Sequence, residues 1–131
     1  MTKEDKNLLI QDLSARLPYK TKIQLTEYSD LTGEKLPSKI KTLDYCMLGK
    51  AQAYCKGFRK DEIKPYLFPL SSMTEEQSME FALLQVNTHK DGFLYVCDCA
   101  NMMKWLLKNH FDIYGLIEKG LAIDASGLNI Y

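Results

Sequence analysis

Apolar and polar positions at the start of the chain follow the period of an amphipathic helix. Leucine recurs at every fourth position across residues 9–17, the spacing that lines one face of an α-helix. Thr2 and Asp5 stand three positions apart ahead of this stripe and form the sequence signature of a capping box. Pro18 follows the stripe and disfavours helical backbone in the residue before it. The pattern therefore predicts a helix that ends just before Pro18.

The following segments change to the shorter period of strands. Residues 21–26 alternate between two faces, which predicts a half-buried strand. A loop rich in turn residues over 29–38 leads to a predicted second strand over 39–48, whose shift of apolar phase suggests a bulge. A shorter third strand is predicted over 51–58. Residues 63–69 carry prolines on both sides of an apolar triplet, and prolines confine such a segment to a sheet edge or an extended crossing segment.

The second half of the chain is predicted to be mainly helical. Thr74 and Gln77 form another capping-box pair and predict a helix that runs to about Thr88. The apolar segment 93–96 is predicted to be a short buried strand or turn. A second helix is predicted over 98–109, with the aspartate at its first position as its cap.

A last short helix is predicted between Asp112, its cap, and Gly120, its end.

The fold class that follows is α+β, with a small antiparallel sheet in the N-terminal half packed by the N-terminal helix and by the helical C-terminal half. A chain of 131 residues has the size of one domain. We expect a single domain over 1–131, with a possible subdivision near 69–73.

No apolar run in the sequence is long enough for a membrane span, which needs roughly 18 residues. Polar Asp12 and Arg16 interrupt the first helix, so the continuous apolar segment of a secretory signal is absent from the start of this sequence. We therefore expect a cytoplasmic protein without a membrane partner. The four cysteines are then expected to be reduced thiols and not a disulfide framework.

Charge is unevenly spread although the net charge is zero. Residues 16–66 carry eleven Lys or Arg against six Asp or Glu, which gives +5, and residues 67–131 carry four Lys against eight acids, which gives −4. Such asymmetry indicates a binding face for nucleic acid or an acidic partner on the basic part. Alternatively, the two parts pair with each other in the folded protein.

Cys97 and Cys99 form the sharpest local motif, with His89 before them and His110 after them. Thiolate and imidazole are the ligands that zinc prefers. The spacing is nevertheless poor for a structural zinc site, where paired ligands stand two to four residues apart in a turn. Small buried cysteines at the start of a helix explain the motif more simply, so no metal or cofactor is predicted.

A cysteine nucleophile is the second chemical possibility. Cys99 lies near the predicted start of a helix, where the helix dipole lowers the pKa of a thiol. His110 would stand at the far end of the same helix, about 16 Å away at 1.5 Å per residue. That separation argues against His110 as the base for Cys99 and leaves His89 as the other candidate base. The sequence therefore favours a non-enzymatic protein and keeps a small enzyme as the alternative.

The basic region also contains aromatic side chains. Cationic grooves whose rings stack on bases are typical of proteins that bind single-stranded nucleic acid. The alternative is that the rings face the core while the lysines are solvated. The candidate contact residues for nucleic acid or another partner are Lys50, Tyr54, Lys56, Phe58, Arg59, Lys60, Lys64 and Tyr66.

Three stretches resemble segments of short hypothetical proteins from gut anaerobic bacteria and their prophages. They are ARLPY over 15–19, IKPYLFPLSSMTEE over 63–76 and NHFDIYGLIEKGLA over 109–122. The resemblance implies a prophage or mobile-element origin, which favours an interaction role over metabolism. It carries over no catalytic residue.

Together these patterns predict a non-enzymatic interaction module that binds protein or nucleic acid through a basic and aromatic face of its sheet. The alternative is a small enzyme or metal-binding domain that uses Cys97, Cys99 and His89. The sequence leaves the oligomeric state open.

Overall fold

The computed structural model describes residues 1–88 and 96–131. The chain forms four α-helices and four strands in this part, and the fold is α+β as predicted. The helices are α1 (Lys3–Arg16), α2 (Tyr45–Cys55), α3 (Glu75–Thr88) and α4 (Val96–Lys108). The strands are β1 (Lys22–Thr26), β2 (Lys39–Thr42), β3 (Glu62–Leu67) and β4 (Ile123–Asp124).

The first helix has the cap that the sequence predicts. Thr2 Oγ1 accepts from the backbone N–H of Asp5 at 3.0 Å, and the Asp5 carboxylate accepts from the backbone N–H of Thr2 at 3.2 Å. The helix ends at Arg16, and a single 3₁₀ turn over Leu17–Tyr19, which contains Pro18, follows it. Local capping and the proline thus define both ends of α1.

The four strands form one mixed sheet in the order β2-β1-β3-β4. β1 runs antiparallel to both β2 and β3, with Ile23 opposite Lys41 on one side and Pro65 on the other. The short β4 from the C-terminal part pairs with β3 in parallel. The predicted antiparallel sheet is therefore present, and β4 adds a parallel strand that no local pattern indicated.

The edge position predicted for residues 63–69 is wrong, because β3 lies between β1 and β4. Its proline is tolerated there for a geometric reason. The parallel ladder involves only Tyr66 and Leu67, so it begins one residue beyond Pro65. The missing N–H of the proline therefore falls outside the β4 ladder.

The strand predicted over 51–58 is also wrong, and the second strand is shorter than predicted. β2 ends at Thr42, and Asp44 then caps α2 by accepting from the backbone N–H of Met47 at 2.8 Å. Met47, Ala51 and Cys55 recur at four-residue spacing and contact the core. Alanine and glutamine favour helix and no β-branched residue occurs in α2, so intrinsic propensity and packing agree.

The capping pair of α3 is confirmed, since Gln77 and Thr74 exchange backbone-to-side-chain hydrogen bonds of 3.0 and 3.2 Å. α4 begins at Val96, so the aspartate expected as its cap lies inside its first turn. The strand predicted over 93–96 falls outside the described residues, apart from the first residue of α4.

Asp112 acts as a cap, although not of a helix. Its carboxylate oxygens accept from the backbone N–H groups of Leu116 and Ile117 at 2.9 and 3.0 Å. Residues 116–120 form turns and not the predicted helix. Gly120 ends these turns with a left-handed φ of 73°.

The core lies between one face of the sheet and the helices α1 and α2. Residues from the turns after Asp112 also pack into it. None of the described helices is long and apolar enough to cross a membrane. The buried members of the core are Leu9, Leu13, Ile23, Leu25, Leu43, Ala51, Ile63, Leu67, Leu116, Leu121 and Ala122.

An ion pair lies inside this structure. Arg16 Nε donates to Asp12 Oδ2 at 2.8 Å, and both side chains are 0% exposed. Arg16 Nη2 also donates to the backbone carbonyl of Phe111 at 2.5 Å, which ties α1 to the chain after α4. Burial raises the pKa of Asp12, and the hydrogen bond from Arg16 opposes that shift.

His110 and Tyr131 form a second polar cluster beside this ion pair. Their rings stack with centroids 3.7 Å apart, and His110 Nδ1 lies 3.5 Å from the hydroxyl of Thr21. The Tyr131 hydroxyl donates to the backbone carbonyl of Tyr66 at 2.7 Å and accepts from the backbone N–H of Lys22 at 2.8 Å. These contacts hold the C-terminal residue against β1 and β3.

Candidate functional site

The basic and aromatic residues singled out in the sequence lie mainly at the C-terminal end of α2. The backbone N–H groups of Gly57 and Phe58 donate to the carbonyls of Tyr54 and Ala53 at 3.0 and 2.9 Å. Gly57 has a φ of 80°, the left-handed conformation that closes many helices and that glycine adopts without steric cost. This cap turns the chain back toward β3 and leaves residues 56–60 exposed.

Phe58 stands out in this turn because its side chain is 80% exposed. Aromatic side chains bury large apolar areas when they pack, and they dominate the energetics of interfaces. Phe58 is followed by two exposed cations, Arg59 and Lys60. A solvated ring between positive charges is a surface suited to contact with a flat, anionic ligand.

The β1–β2 connection forms the wall opposite this turn. An isolated antiparallel bridge joins Tyr28 to Lys35. Beyond the bridge, the backbone N–H of Ser29 donates to the Glu34 carbonyl, and that of Gly33 donates to the Ser29 carbonyl, each at 2.8 Å. The loop therefore has its own hydrogen-bonded structure and can hold Tyr28 in a fixed position.

Two adjoining cavities border the turn, with volumes of about 440 and 530 Å³. The first lies between the turn and this loop, and the second lies between the turn and the start of α1. Tyr28, Gly57, Arg59 and Lys60 line both cavities. The first also reaches Lys50 and Phe58, and the second reaches Lys6, Tyr54 and the N-terminal Met1. We call this region the aromatic–basic cleft and define it by Tyr28, Lys50, Tyr54, Phe58, Arg59 and Lys60.

The cations of the cleft are only partly neutralised by neighbours. Arg59 lies 3.7 Å from the Asp61 carboxylate, and its side chain remains 53% exposed, so the guanidinium keeps free donors. In the part of the chain that the structure describes, no salt bridge involves the three lysines around the turn, which are Lys50, Lys56 and Lys60.

Acidic side chains also line the first cavity, at Glu27, Asp30 and Asp61. The second cavity has Glu62 as its acid, opposite Lys6, Arg59 and Lys60. The excess of positive charge therefore lies in the second cavity. The first cavity combines hydrogen-bond acceptors with the exposed ring of Phe58.

Three of the residues predicted as contacts lie away from the cleft. Lys56 is exposed but lines neither cavity. Lys64 Nζ is 3.4 Å from the Glu62 carboxylate on β3. Tyr66 is only 5% exposed, and burial removes it from any contact surface. The expected site on a sheet face is corrected accordingly, because the surface is built from a helix end and two loops.

Sequence patterns did not indicate Tyr28 or Lys6 as part of the site. Tyr28 precedes a turn-rich loop and Lys6 lies in α1, and neither has a distinguishing local signal. Folding brings them to the 56–60 turn because β1 pairs with β3 and α1 packs on α2. Only knowledge of those pairings could have placed them.

Two ionisable groups beside the cleft, Tyr54 and Cys55, have raised pKa values. Burial raises the pKa of Tyr54, and the nearby Glu62 carboxylate adds to that shift. Burial likewise raises the pKa of the Cys55 thiol. Both groups are therefore protonated at neutral pH, and a protonated thiol is a poor nucleophile.

The predicted alternative around the cysteines lies outside what the structure describes. His89 is not among the described residues, and the side chains of Cys97 and Cys99 are not described either. Within residues 1–88 and 96–131, no three His, Cys, Asp or Glu side chains are grouped to hold a metal ion. The metal and cysteine hypotheses stay predictions.

These observations define a small α+β protein with an aromatic–basic cleft on one side. The sequence matches no protein-family model, and no curated protein and no solved structure is significantly similar to it. Function must therefore be inferred from the cleft itself.

Proposed function

We propose that this protein is a non-enzymatic interaction module, of prophage or mobile-element type, that binds single-stranded nucleic acid in the aromatic–basic cleft. The observation that carries the proposal is the exposed ring of Phe58, 80% accessible, within a run of exposed cations at 56–60. Proteins that bind single strands combine such rings with a positively charged groove that follows the backbone.

The geometry of the cleft supports a short strand as its ligand. Its two cavities share a wall, and each has a volume within the roughly 300–1,000 Å³ range of ligand sites. A base stacked on Phe58 in the first cavity would leave the next phosphate near Arg59 and Lys60 in the shared wall. Stacking of one base on an aromatic side chain contributes about 1–3 kcal/mol.

The acids of the first cavity fit this arrangement as well. Carboxylates accept hydrogen bonds from exocyclic amino groups of bases, and Asp30 and Asp61 line the cavity beside Phe58. The same acids repel phosphate, so a continuous anionic surface such as a duplex backbone fits less well. The proposal therefore predicts moderate, salt-dependent affinity for single strands.

Replacing the three cations that define the cleft, Lys50, Arg59 and Lys60, together by alanine is expected to weaken binding of a short single-stranded oligonucleotide at least tenfold at low salt. If these side chains contact two or three phosphates, the magnitude of the slope of log K against log salt falls by about 1.4 to 2.1, because each phosphate contributes about 0.7 on single strands. Fluorescence anisotropy with labelled DNA and RNA oligonucleotides over a salt series measures both quantities.

A charge-matched control is available on the edge strand β2 and at the start of α1. Lys3, Lys39 and Lys41 are exposed and line neither cavity of the cleft. Their triple alanine variant removes the same charge and is expected to retain most of the affinity. Equal losses in the two triple variants would mean that only net charge matters and would overturn the assignment to the cleft.

The stacking contribution is tested separately by Phe58→Ala. The loss of one base stack corresponds to a decrease in affinity of about 5- to 150-fold. Because Phe58 is exposed, the variant is expected to unfold at the same temperature as the natural chain. No binding of any oligonucleotide at low salt would refute the nucleic-acid proposal and would favour a protein as the ligand of the cleft.

A further inference from the structure

Helix α3 leaves one of its faces uncovered. None of its described side chains, at 75–84, is buried, and Met79 and Leu83 are 69% and 64% exposed. Helices in proteins gain most of their stability by packing an apolar face. An exposed apolar pair one turn apart on such a helix is a candidate contact surface.

The opposite side of α3 is attached to α4 through aromatic rings. Phe81 stacks on Trp105 with centroids 5.3 Å apart, and Trp105 stacks on Phe111 at 5.8 Å. Met79 and Leu83 each lie two positions from Phe81, which is roughly 160° around the helix. The exposed pair therefore faces away from α4 of the same chain.

The two helices carry opposite charge on their exposed positions. Glu75, Glu76 and Glu80 are exposed on α3, and Lys104 and Lys108 are exposed on α4. No salt bridge involves any of these five side chains within the described ranges. The glutamates of α3 and the lysines of α4 could therefore form ion pairs if the two helices of different copies met.

We propose that a second copy of this chain covers α3, with α3 of each copy lying on α4 of the other across a two-fold axis. Met79 and Leu83 would pack near Met103, which is 40% exposed, while Glu76 and Glu80 face the partner's lysines. The two contacts of such a dimer are equivalent by symmetry, and the four helices form a bundle.

Charge decides between this arrangement and its main alternative. A dimer that pairs α3 with α3 would bring glutamates of both copies together, and like charges in a contact are unfavourable. Pairing α3 with α4 places acids opposite bases in both contacts. The proposed dimer surface shares no residue with the lining of the aromatic–basic cleft, and the dimer proposal does not depend on nucleic-acid binding.

Sedimentation velocity of the full chain is the first test. At about 50 μM chain the mass is expected to be twice the 15.1 kDa of one chain. The double variant Met79→Glu, Leu83→Glu is expected to weaken the dimer at least 100-fold and to sediment as a monomer. Both positions are exposed in the single chain, and far-UV circular dichroism checks that the variant stays helical.

Leu31→Glu is the matched control, since Leu31 is 97% exposed on the β1–β2 loop and far from α3 along the chain. This variant is expected to remain dimeric. Oligonucleotide binding by the monomeric double variant would show that the two surfaces act independently. A natural chain that stays monomeric at about 200 μM would overturn the proposal.

A charge exchange tests the pairing of α3 with α4 directly. The variants E76K/E80K and K104E/K108E should each dimerise at least tenfold more weakly than the natural chain, because each brings like charges together. An equimolar mixture should restore the dimer as a heterodimer, since both of its contacts again pair acids with bases. Failure of the mixture to recover would refute the proposed arrangement.

Discussion

Replacing Arg16 by leucine is expected to lower the free energy of unfolding by about 3–5 kcal/mol, the range measured when one partner of a buried ion pair is removed. The variant would leave the Asp12 carboxylate at 0% exposure without its cation. It would also remove the donor to the Phe111 carbonyl. Urea unfolding followed by circular dichroism measures the change.

Asp12→Leu is expected to destabilise by a similar amount, because it leaves the Arg16 guanidinium buried without its carboxylate. The double variant Asp12→Leu, Arg16→Leu should be more stable than either single variant, since apolar replacement of both partners of a buried pair is often neutral or stabilising. This non-additivity separates the ion pair from simple loss of packing.

The exposed pair between Asp5 and Lys119 provides the comparison. Its charged atoms are 3.7 Å apart and the lysine side chain is 47% exposed. Surface pairs of this kind contribute about 0–1 kcal/mol, so Lys119→Leu should change stability little. An Arg16→Leu variant as stable as Lys119→Leu would contradict the structural role given to the buried pair.

Sequence patterns predicted the elements whose signals are local. α1 and α3 have capping boxes at Thr2 and Thr74, and the cap bonds join residues three positions apart. β1 alternates polar and apolar residues and has a strand on each side. Ile23 and Leu25 are buried on one face, while Lys22 and Gln24 on the other are half-buried. Local pattern and tertiary contacts specify the same structure in these three elements.

The region of α2 shows where local patterns are ambiguous. Apolar residues in 45–55 satisfy a four-residue spacing as well as a short apolar run, and short runs of this kind do not separate helix from strand. The deciding contacts are made to α1 and to the sheet. Prediction of a strand there also placed the basic residues on a sheet face that does not exist.

Local patterns therefore indicated the exposure of the basic residues at 56–60 but not the helix end and loop that carry them. Residues 56–60 are exposed as the basic–aromatic pattern indicated, whereas Tyr66 is buried. The burial of Arg16 could not be predicted from the sequence, because a charged residue in an amphipathic helix is normally solvated. Its burial depends on the Phe111 carbonyl, 95 positions further along the chain, and no local pattern contains that contact.

Lowering the pH from about 6.5 to about 4 is expected to destabilise the protein through His110. Burial beside the positive Arg16 lowers the pKa of His110 from 6.5 to about 4. The unfolded chain therefore binds a proton in this window that the folded protein does not. The stability is fully present above the unfolded value of 6.5 and is lost as the pH falls, by at most about 3 kcal/mol at 1.36 kcal/mol per pKa unit.

The variant His110→Asn isolates this contribution. His110 has a φ of 62°, and asparagine tolerates left-handed backbone better than most residues. The variant loses the ring stack on Tyr131 and is expected to be less stable at pH 7. It cannot titrate at this position, so its deficit relative to the natural chain should shrink as the pH falls toward 4.

Other ionisable groups also make the stability depend on pH. Comparing the natural chain with His110→Asn cancels their contributions. The raised pKa of Asp12 favours the folded state on acidification, whereas the lowered pKa of Asp5 opposes it below 3.8. Both groups remain in the variant, so the difference between the two unfolding curves reports His110. A difference that stays constant from pH 7 to pH 4 would mean that His110 is as readily protonated in the folded protein as in the unfolded chain.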